Sequence, residues 1–210
     1  TPSDPPPSPT FDPVAAFPAF YSNPTIQHLG GVYGWTVSDE NKRPIDMRRL
    51  VNGELYGASS IGPASLMHLE EFTQELPTAT NAAYYLQATY DEVLVIDIEP
   101  GCPPHTAQAL LALPNLYTEL SMSGNGYHII MPLPKNINDF PVARNKKVLR
   151  EEHGWYEVLI THWVTFTRVP VPPERFATTP PDPNTTWERV YAHLAGKAKE
   201  ITLADLDISG

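Results

Sequence analysis

The sequence predicts an α/β protein in which a strand–helix–strand–strand core forms a mixed rather than a purely parallel sheet. Three observations lead to this class. The chain has 210 residues, of which 41% are hydrophobic, enough for one sizeable core. Apolar runs typical of strands alternate with segments that have helical spacing. A Ser-Gly-Asn-Gly sequence separates two of the strand-like runs and is typical of a hairpin turn.

The first 30 residues are rich in proline, so we expect residues 1–30 to form an extended arm without regular backbone hydrogen bonding. Phe11, Phe17, Phe20 and Tyr21 would pin the later part of this arm to the body of the protein.

The body of the protein is predicted to span residues 31–169. Strands are expected at 31–37, 93–99, 116–122 and 127–133, with two more within 155–169. Helices are expected at 63–76, 103–113 and 141–152. Residues 170–210 would add a proline-rich connection and a final helix at 185–198, packed on the core.

Composition narrows the class of protein. No apolar run approaches the roughly 20 residues of a membrane helix, and the N-terminus lacks the layout of a signal peptide, so we expect a cytoplasmic protein without a membrane partner. The single cysteine, Cys102, excludes an internal disulfide and a cysteine-based zinc site. Because the net charge is −10, any contact with nucleic acid must use local basic clusters or metal ions.

Two carboxylates end the most apolar strand, in the sequence "VLVIDIEPG" (93–101). Side chains alternate along a strand, so Asp97 and Glu99 share one face, about 6–7 Å apart along the backbone, while Ile96 and Ile98 point the other way. Carboxylates this close repel each other unless a proton or a cation lies between them, and Mg²⁺ suits such a place. The alternative is a strand-to-helix turn, in which the dipole of the next helix stabilises the two acids near its N-terminus.

The predicted hairpin "SMSGNGYHII" (121–130) carries groups that suit a phosphate. We expect a glycine-containing turn at Gly124 and Gly126 to leave backbone N–H groups free. Ser121 and Ser123 add hydroxyls, and His128 adds an imidazole. The alternative is an ordinary hairpin with a surface or core histidine.

Glu157 interrupts an apolar strand in "GWYEVLITHW" (154–163). A carboxylate is costly to bury there unless it is paired, so Glu157 is a candidate third ligand for the same metal. The alternative places it on a solvent-facing side of a half-exposed strand. His162 and Arg168 follow it along the chain.

In combination and order, "VIDIE" (95–99), "GYH" (126–128) and "YE" (156–157) resemble the motifs of the archaeo-eukaryotic primase superfamily, and most of all its phage and plasmid primase-polymerases. The resemblance covers roughly residues 31–169 and extends to "YTELSMSGNGYHIIMPLP" (117–134). It implies a catalytic core with a mixed, RRM-like sheet flanked by helices, plus a small N-terminal α/β lobe.

The resemblance also implies template-directed nucleotidyl transfer by a two-metal mechanism, as a DNA primase and/or DNA polymerase in phage or plasmid replication. Asp97, Glu99 and Glu157 would hold Mg²⁺ or Mn²⁺, with His128 as a fourth catalytic residue. The partners would be a single-stranded DNA template and dNTP or NTP substrates in a bacterial or archaeal cytoplasm. A replicative helicase module, if the parent protein has one, would lie outside this chain.

The remaining site candidates would contact phosphates. By resemblance, the triphosphate would meet His128, Ser121, Ser123 and the Gly124–Gly126 backbone. Second-choice contacts are Lys42 and Arg43, together with Arg48 or Arg49. His162 is a further candidate, at about the place where phage relatives often have an arginine. Template or primer phosphates would meet a basic cluster of four residues, namely Arg144, Lys146, Lys147 and Arg150.

Two other functions fit the same residues. One is a non-catalytic module that binds single-stranded DNA in replication initiation. The other is a metal-dependent phosphodiesterase or nuclease.

Overall fold

The computed structural model describes residues 11–137, 148–150, 155–177, 180–186 and 188–190. The strands are β1 (Trp35–Thr36), β2 (Ala82–Gln87), β3 (Val93–Ile98), β4 (Tyr117–Leu120), β5 (Tyr127–Pro132), β6 (Val148–Arg150), β7 (Tyr156–Leu159) and β8 (Thr161–Phe166). The helices are α1 (Pro13–Ala16), α2 (Pro18–Tyr21), α3 (Pro24–Gly30), α4 (Met47–Leu50), α5 (Leu69–Glu75), α6 (Ala88–Asp91), α7 (Pro104–Leu111) and α8 (Glu174–Ala177).

The described strands form two sheets, a three-stranded one in the order β1-β2-β8 and a five-stranded one in the order β4-β5-β3-β7-β6. Every pair is antiparallel, so the predicted α and β content is correct but the expected mixed sheet is wrong. The reason lies in the hairpin of β4 and β5. Its second strand inserts beside β3, so the crossover through α7 never brings β4 next to β3 as a parallel neighbour.

Strand β3 lies at the centre of the five-stranded sheet and is buried on both faces. Leu94, Ile96 and Ile98 face a core that contains α7, here called the α7-side core. Val93 and Val95 face a second core that contains helices α2 and α3 and the three-stranded sheet, here called the N-terminal-side core. Burial on both faces explains why this strand is a continuous apolar run rather than an alternating one.

The N-terminal segment is helical from residue 13, so the expected extended arm is wrong for residues 13–30. The prolines start the helices α1, α2 and α3 instead of preventing them, because proline at the first helical position loses no hydrogen bond. The predicted anchoring is confirmed at Phe20, which is fully buried, but Phe11 is 47% exposed.

Several predicted elements are shorter or different. The 31–37 strand is reduced to β1, and the 63–76 helix starts only at Leu69, because Met67 pairs with Trp35 in a β-bridge. Residues 148–150 form a strand, where part of a 141–152 helix was predicted, because they pair with β7. Residues 138–147 and 151–154, and most of the predicted 185–198 helix, lie outside the described residues. Within the described ranges no helix combines the length and apolar character needed to cross a bilayer.

Candidate metal and nucleotide site

A row of four polar residues crosses four neighbouring strands of the five-stranded sheet. Glu119 on β4 lies opposite His128 on β5, His128 lies opposite Asp97 on β3, and Asp97 lies opposite Glu157 on β7. Directly opposed residues point to the same face of a sheet, so the four side chains share one face. It is the face of the N-terminal-side core, and the polar row lies where the apolar part of that face ends.

Three acids converge at one end of this row. Asp97, Glu99 and Glu157 each offer a carboxylate oxygen, these oxygens lie within 4.8 Å of one another, and the three residues are half-buried. The backbone N–H of Glu99 bonds the Trp155 carbonyl at 3.0 Å, which ties the end of β3 to the start of β7. The three acids, predicted from two separate motifs, thus lie together, and an all-oxygen donor set suits Mg²⁺ or Mn²⁺.

His128 lies between two carboxylates. Its Nδ1 is 2.8 Å from Oε2 of Glu119, and its Nε2 is 3.6 Å from Oδ1 of Asp97. Burial, the largest effect, lowers the pKa of His128, but the hydrogen bond and charge of Glu119, with the charge of Asp97, outweigh it and leave the pKa above its ordinary value. The ring thus lies between two acidic side chains. It is also nearly buried, with 11% of its side-chain surface exposed.

Glu119 is a member of the site that sequence reasoning did not select. It is fully buried, and besides His128 it accepts from the Tyr117 hydroxyl at 2.9 Å, the Thr167 N–H at 2.7 Å and the Arg168 N–H at 3.1 Å. The sequence did carry a signal, because Glu119 is a lone acid inside the predicted strand 116–122, as Glu157 is inside its own strand, and a carboxylate is costly to bury there unless it is paired.

The turn between β4 and β5 is closed by its own side chains. Ser121 Oγ accepts the N–H of Gly126 at 2.9 Å, Ser123 Oγ accepts that of Asn125 at 3.2 Å, and the Ser121 carbonyl accepts that of Gly124 at 2.9 Å. The expectation of free N–H groups at this turn is therefore wrong, because these three amides are used inside it. The hydroxyls of Ser121 and Ser123 lie 3.2 Å apart.

Arg175 on α8 also reaches this turn and was not selected from the sequence, because it lies in the predicted proline-rich connection. Its Nη1 donates to the Gly124 carbonyl at 2.6 Å, and its own carbonyl accepts from the side chain of Gln108 on α7. The guanidinium group of Arg175 thus fixes the turn at the Gly124 carbonyl.

Other predicted phosphate contacts lie elsewhere in the described structure. His162 pairs with Leu86 in the three-stranded sheet, and its Nδ1 is 2.6 Å from the Trp163 carbonyl. Lys42 and Arg43 lie in a turn closed by bonds to Asp39.

The predicted basic cluster is largely outside the described part of the chain. Arg144, Lys146 and Lys147 fall outside the described residues. The backbone of Arg150 lies on β6, in register with Glu157.

Compared with protein-family models and with curated protein sequences, the chain matches none of them.

Proposed function

We propose that this protein catalyses template-directed nucleotidyl transfer, as a DNA primase and/or DNA polymerase in phage or plasmid replication. One observation carries the proposal. Three motifs that are separated along the chain bring Asp97, Glu99, Glu157 and His128 together at one end of a single sheet face. These motifs, in this order, are the ones that resemble the primase-polymerases.

The fold supports the same function. Strands β4-β5-β3-β7 with α7 between β3 and β4 have the order of an RRM-like sheet, the core that the resemblance implies. We assign β1, β2 and the helices that pack with them to the expected N-terminal lobe, although β8 completes their sheet.

Asp97, Glu99 and Glu157 would hold the divalent ions, Mg²⁺ or Mn²⁺. When bound, such ions lower the pKa of an attacking 3′-hydroxyl and neutralise charge on the leaving pyrophosphate. His128, with the hydroxyls of Ser121 and Ser123, would orient the triphosphate beside the acids. Positioning and electrostatics supply most of the catalysis in such reactions.

A single-stranded DNA template and dNTPs or NTPs would be the partners, and a helicase module would lie outside this chain. With a net charge of −10, the chain needs its basic residues concentrated at the template. Arg144, Lys146, Lys147 and Arg150 form the densest cluster, so template binding would weaken as salt rises.

The test is synthesis on a single-stranded template, with and without a primer, in Mg²⁺ or Mn²⁺ and labelled dNTPs or NTPs. We expect labelled products from the wild type and a loss of at least about 100-fold in Asp97→Asn and in Glu157→Gln, because each variant removes a charge at the metal ligands. Glu70→Gln, which neutralises an exposed acid on α5, is the matched control and should retain synthesis.

Undiminished synthesis in the Asp97 and Glu157 variants would refute the assignment. Degradation of DNA without added nucleotides, lost in the same variants, would instead identify a metal-dependent phosphodiesterase or nuclease. Strand binding without metal-dependent chemistry would identify the non-catalytic replication module.

A further inference from the structure

Glu119 is buried behind His128, on the side of the ring opposite Asp97. Two of its hydrogen-bond partners are the backbone N–H groups of Thr167 and Arg168, which can only donate. The Tyr117 hydroxyl donates to Oε1 at 2.9 Å as well. A buried carboxylate with three donors around it is an acceptor at both oxygens.

The fourth contact of this carboxylate is the imidazole, at 2.8 Å between Nδ1 and Oε2. The Thr167 hydroxyl is farther from Oε2, at 3.2 Å, and has a closer acceptor in the Leu120 carbonyl at 2.6 Å. Because Oε2 is an acceptor, the proton of the 2.8 Å contact belongs to Nδ1 of His128. The other ring nitrogen, Nε2, then faces Asp97 and the acidic cluster.

We infer that Glu119 is a positioning residue that fixes His128 with its proton on Nδ1 and presents Nε2 to the ligand of the site. The 3.6 Å between Nε2 and Asp97 Oδ1 is longer than a direct hydrogen bond, so this contact alone does not hold the ring. Glu119 holds the ring from behind, and the Thr167 and Arg168 amides hold Glu119. The end of β8 thereby sets the orientation of a side chain on β5.

The role of Nε2 toward a nucleotide phosphate rests on the proposed function, whereas the orientation of the ring does not. Carboxylates that orient a metal-binding histidine typically change affinity or activity about 10–100-fold when they are altered, and we expect an effect at the lower end of this range for a histidine that faces a phosphate. Loss of Glu119 should therefore weaken nucleotide binding through His128, and only through His128.

The first measurement uses the unaltered protein. In ¹⁵N-histidine-labelled protein, long-range ¹H–¹⁵N spectra report which ring nitrogen carries a proton, and His128→Gln identifies the signals of this ring. We expect the neutral ring to carry its proton on Nδ1, the nitrogen 2.8 Å from Oε2 of Glu119. A His128 whose Nδ1 carries no proton would overturn the inference, whether or not any variant folds.

The second measurement is a double-mutant cycle on nucleotide affinity with Mn²⁺ present. Glu119→Gln should raise the nucleotide Kd about 10-fold, and adding it to His128→Gln should cause no further loss, because both act through one ring. The matched control is Asp91→Asn, another buried acid that accepts from a tyrosine hydroxyl and a backbone amide. Asp91→Asn should change the nucleotide Kd only slightly. In the double variant with His128→Gln, the two fold-changes in Kd should multiply, because the two residues act independently.

The outcomes separate the two ideas. If the fold-changes in nucleotide Kd caused by Glu119→Gln and His128→Gln multiply in the double variant, Glu119 acts independently of His128, and the positioning role is refuted. If the wild type binds no nucleotide, the proposed function fails, and the imidazole spectra still decide whether Glu119 fixes the ring.

Discussion

Gly126 is the residue at which the hairpin turn meets the end of β3. A Cβ atom built on it would lie 2.4 Å from the Ile98 carbonyl oxygen and 3.0 Å from Ser121 Oγ. Atoms cannot approach this closely, so any side chain here must displace the strand that carries Asp97. The glycine therefore serves close packing of backbone against backbone.

Gly126→Ala is expected to destabilise the fold by about 1–3 kcal/mol, as overpacking of a tight site does. Gly57→Ala is the matched control, because its Cβ would meet only the Pro44 carbonyl at an ordinary 3.8 Å. Urea denaturation measures both free energies of unfolding. Equal stability of the two variants would contradict the close approach at Gly126.

Asp91 gives the stability of the protein a signed pH dependence. Burial raises the pKa of this carboxyl, and the bonds from the Gln87 amide and the Tyr84 hydroxyl and the charge of His28 oppose the rise only in part. The pKa of Asp91 is therefore higher in the folded than in the unfolded protein, where it is about 4. Below about pH 4 the protonated carboxyl makes its full contribution to the free energy of unfolding, and this contribution is lost as the pH rises through the raised pKa.

The stability of the wild type relative to Asp91→Asn should therefore fall as the pH increases from about 4 toward neutrality. Urea denaturation at a series of pH values gives this difference, and Glu70→Gln on the surface controls for the loss of one charge. If the wild type instead became more stable relative to Asp91→Asn as the pH rises, the raised pKa assigned to Asp91 would be contradicted.

The acids of the candidate site were predictable because each one breaks a local pattern. Asp97 and Glu99 end an apolar run, and Glu157 interrupts another. Glu119 carried a local signal that was overlooked, whereas Arg175 was not selected because its importance lies in a contact across 51 residues, with Gly124. No local spacing reports such distant partners.

At the scale of elements, the best predictions concern structure that forms locally. Helix α7 and the hairpin of β4 and β5 match their predicted ranges, because a first-turn proline and a glycine-containing turn act within a few residues. Strand β6 was mistaken for helix because its charged sequence has no strand pattern, and its pairing with β7 decides its conformation. The N-terminal helices were missed because proline was taken as a breaker.

Helix α2 is an integral part of the folded body. Its Phe20 is fully buried and contacts the rings of Tyr21, Trp35, Tyr117 and Phe166, with centroid separations of 5.1 to 6.1 Å. This one side chain joins the N-terminal segment to both sheets.

Phe20→Ala should reduce the free energy of unfolding by about 3–5 kcal/mol, as removal of a buried phenylalanine does. Phe11→Ala, at a 47% exposed position in the same segment, should change it by less than about 0.5 kcal/mol. Thermal or chemical denaturation compares the two. Similar small effects would mean that the segment is a separable arm after all.

At the scale of the whole molecule, the two sheets share one core. The N-terminal-side core takes Val95 and Ile130 from the five-stranded sheet and Trp35, Tyr84 and Phe166 from the three-stranded sheet. Strand β3 contributes alternate residues to this core and to the α7-side core, so neither core persists without it. The sequence could not predict this arrangement, because which strands become neighbours depends on packing over long separations.

This shared core predicts one cooperative unfolding transition. Near-ultraviolet circular dichroism, which reports the packing of buried aromatic side chains such as Trp35, should coincide with the far-ultraviolet signal of the backbone across a denaturant series. Two separated transitions would instead show that the sheets fold as independent units.

The pairing of Asp97 with Glu157 has a consequence for how the chain tolerates change. A slip of one residue between β3 and β7 would turn Glu157 toward the α7-side core and dismantle the acidic cluster, although every residue would still be present. Insertions or deletions within β7 should thus be more harmful than most substitutions there. A probe that recognises the assembled cluster would also report whether a given molecule has folded in the correct register.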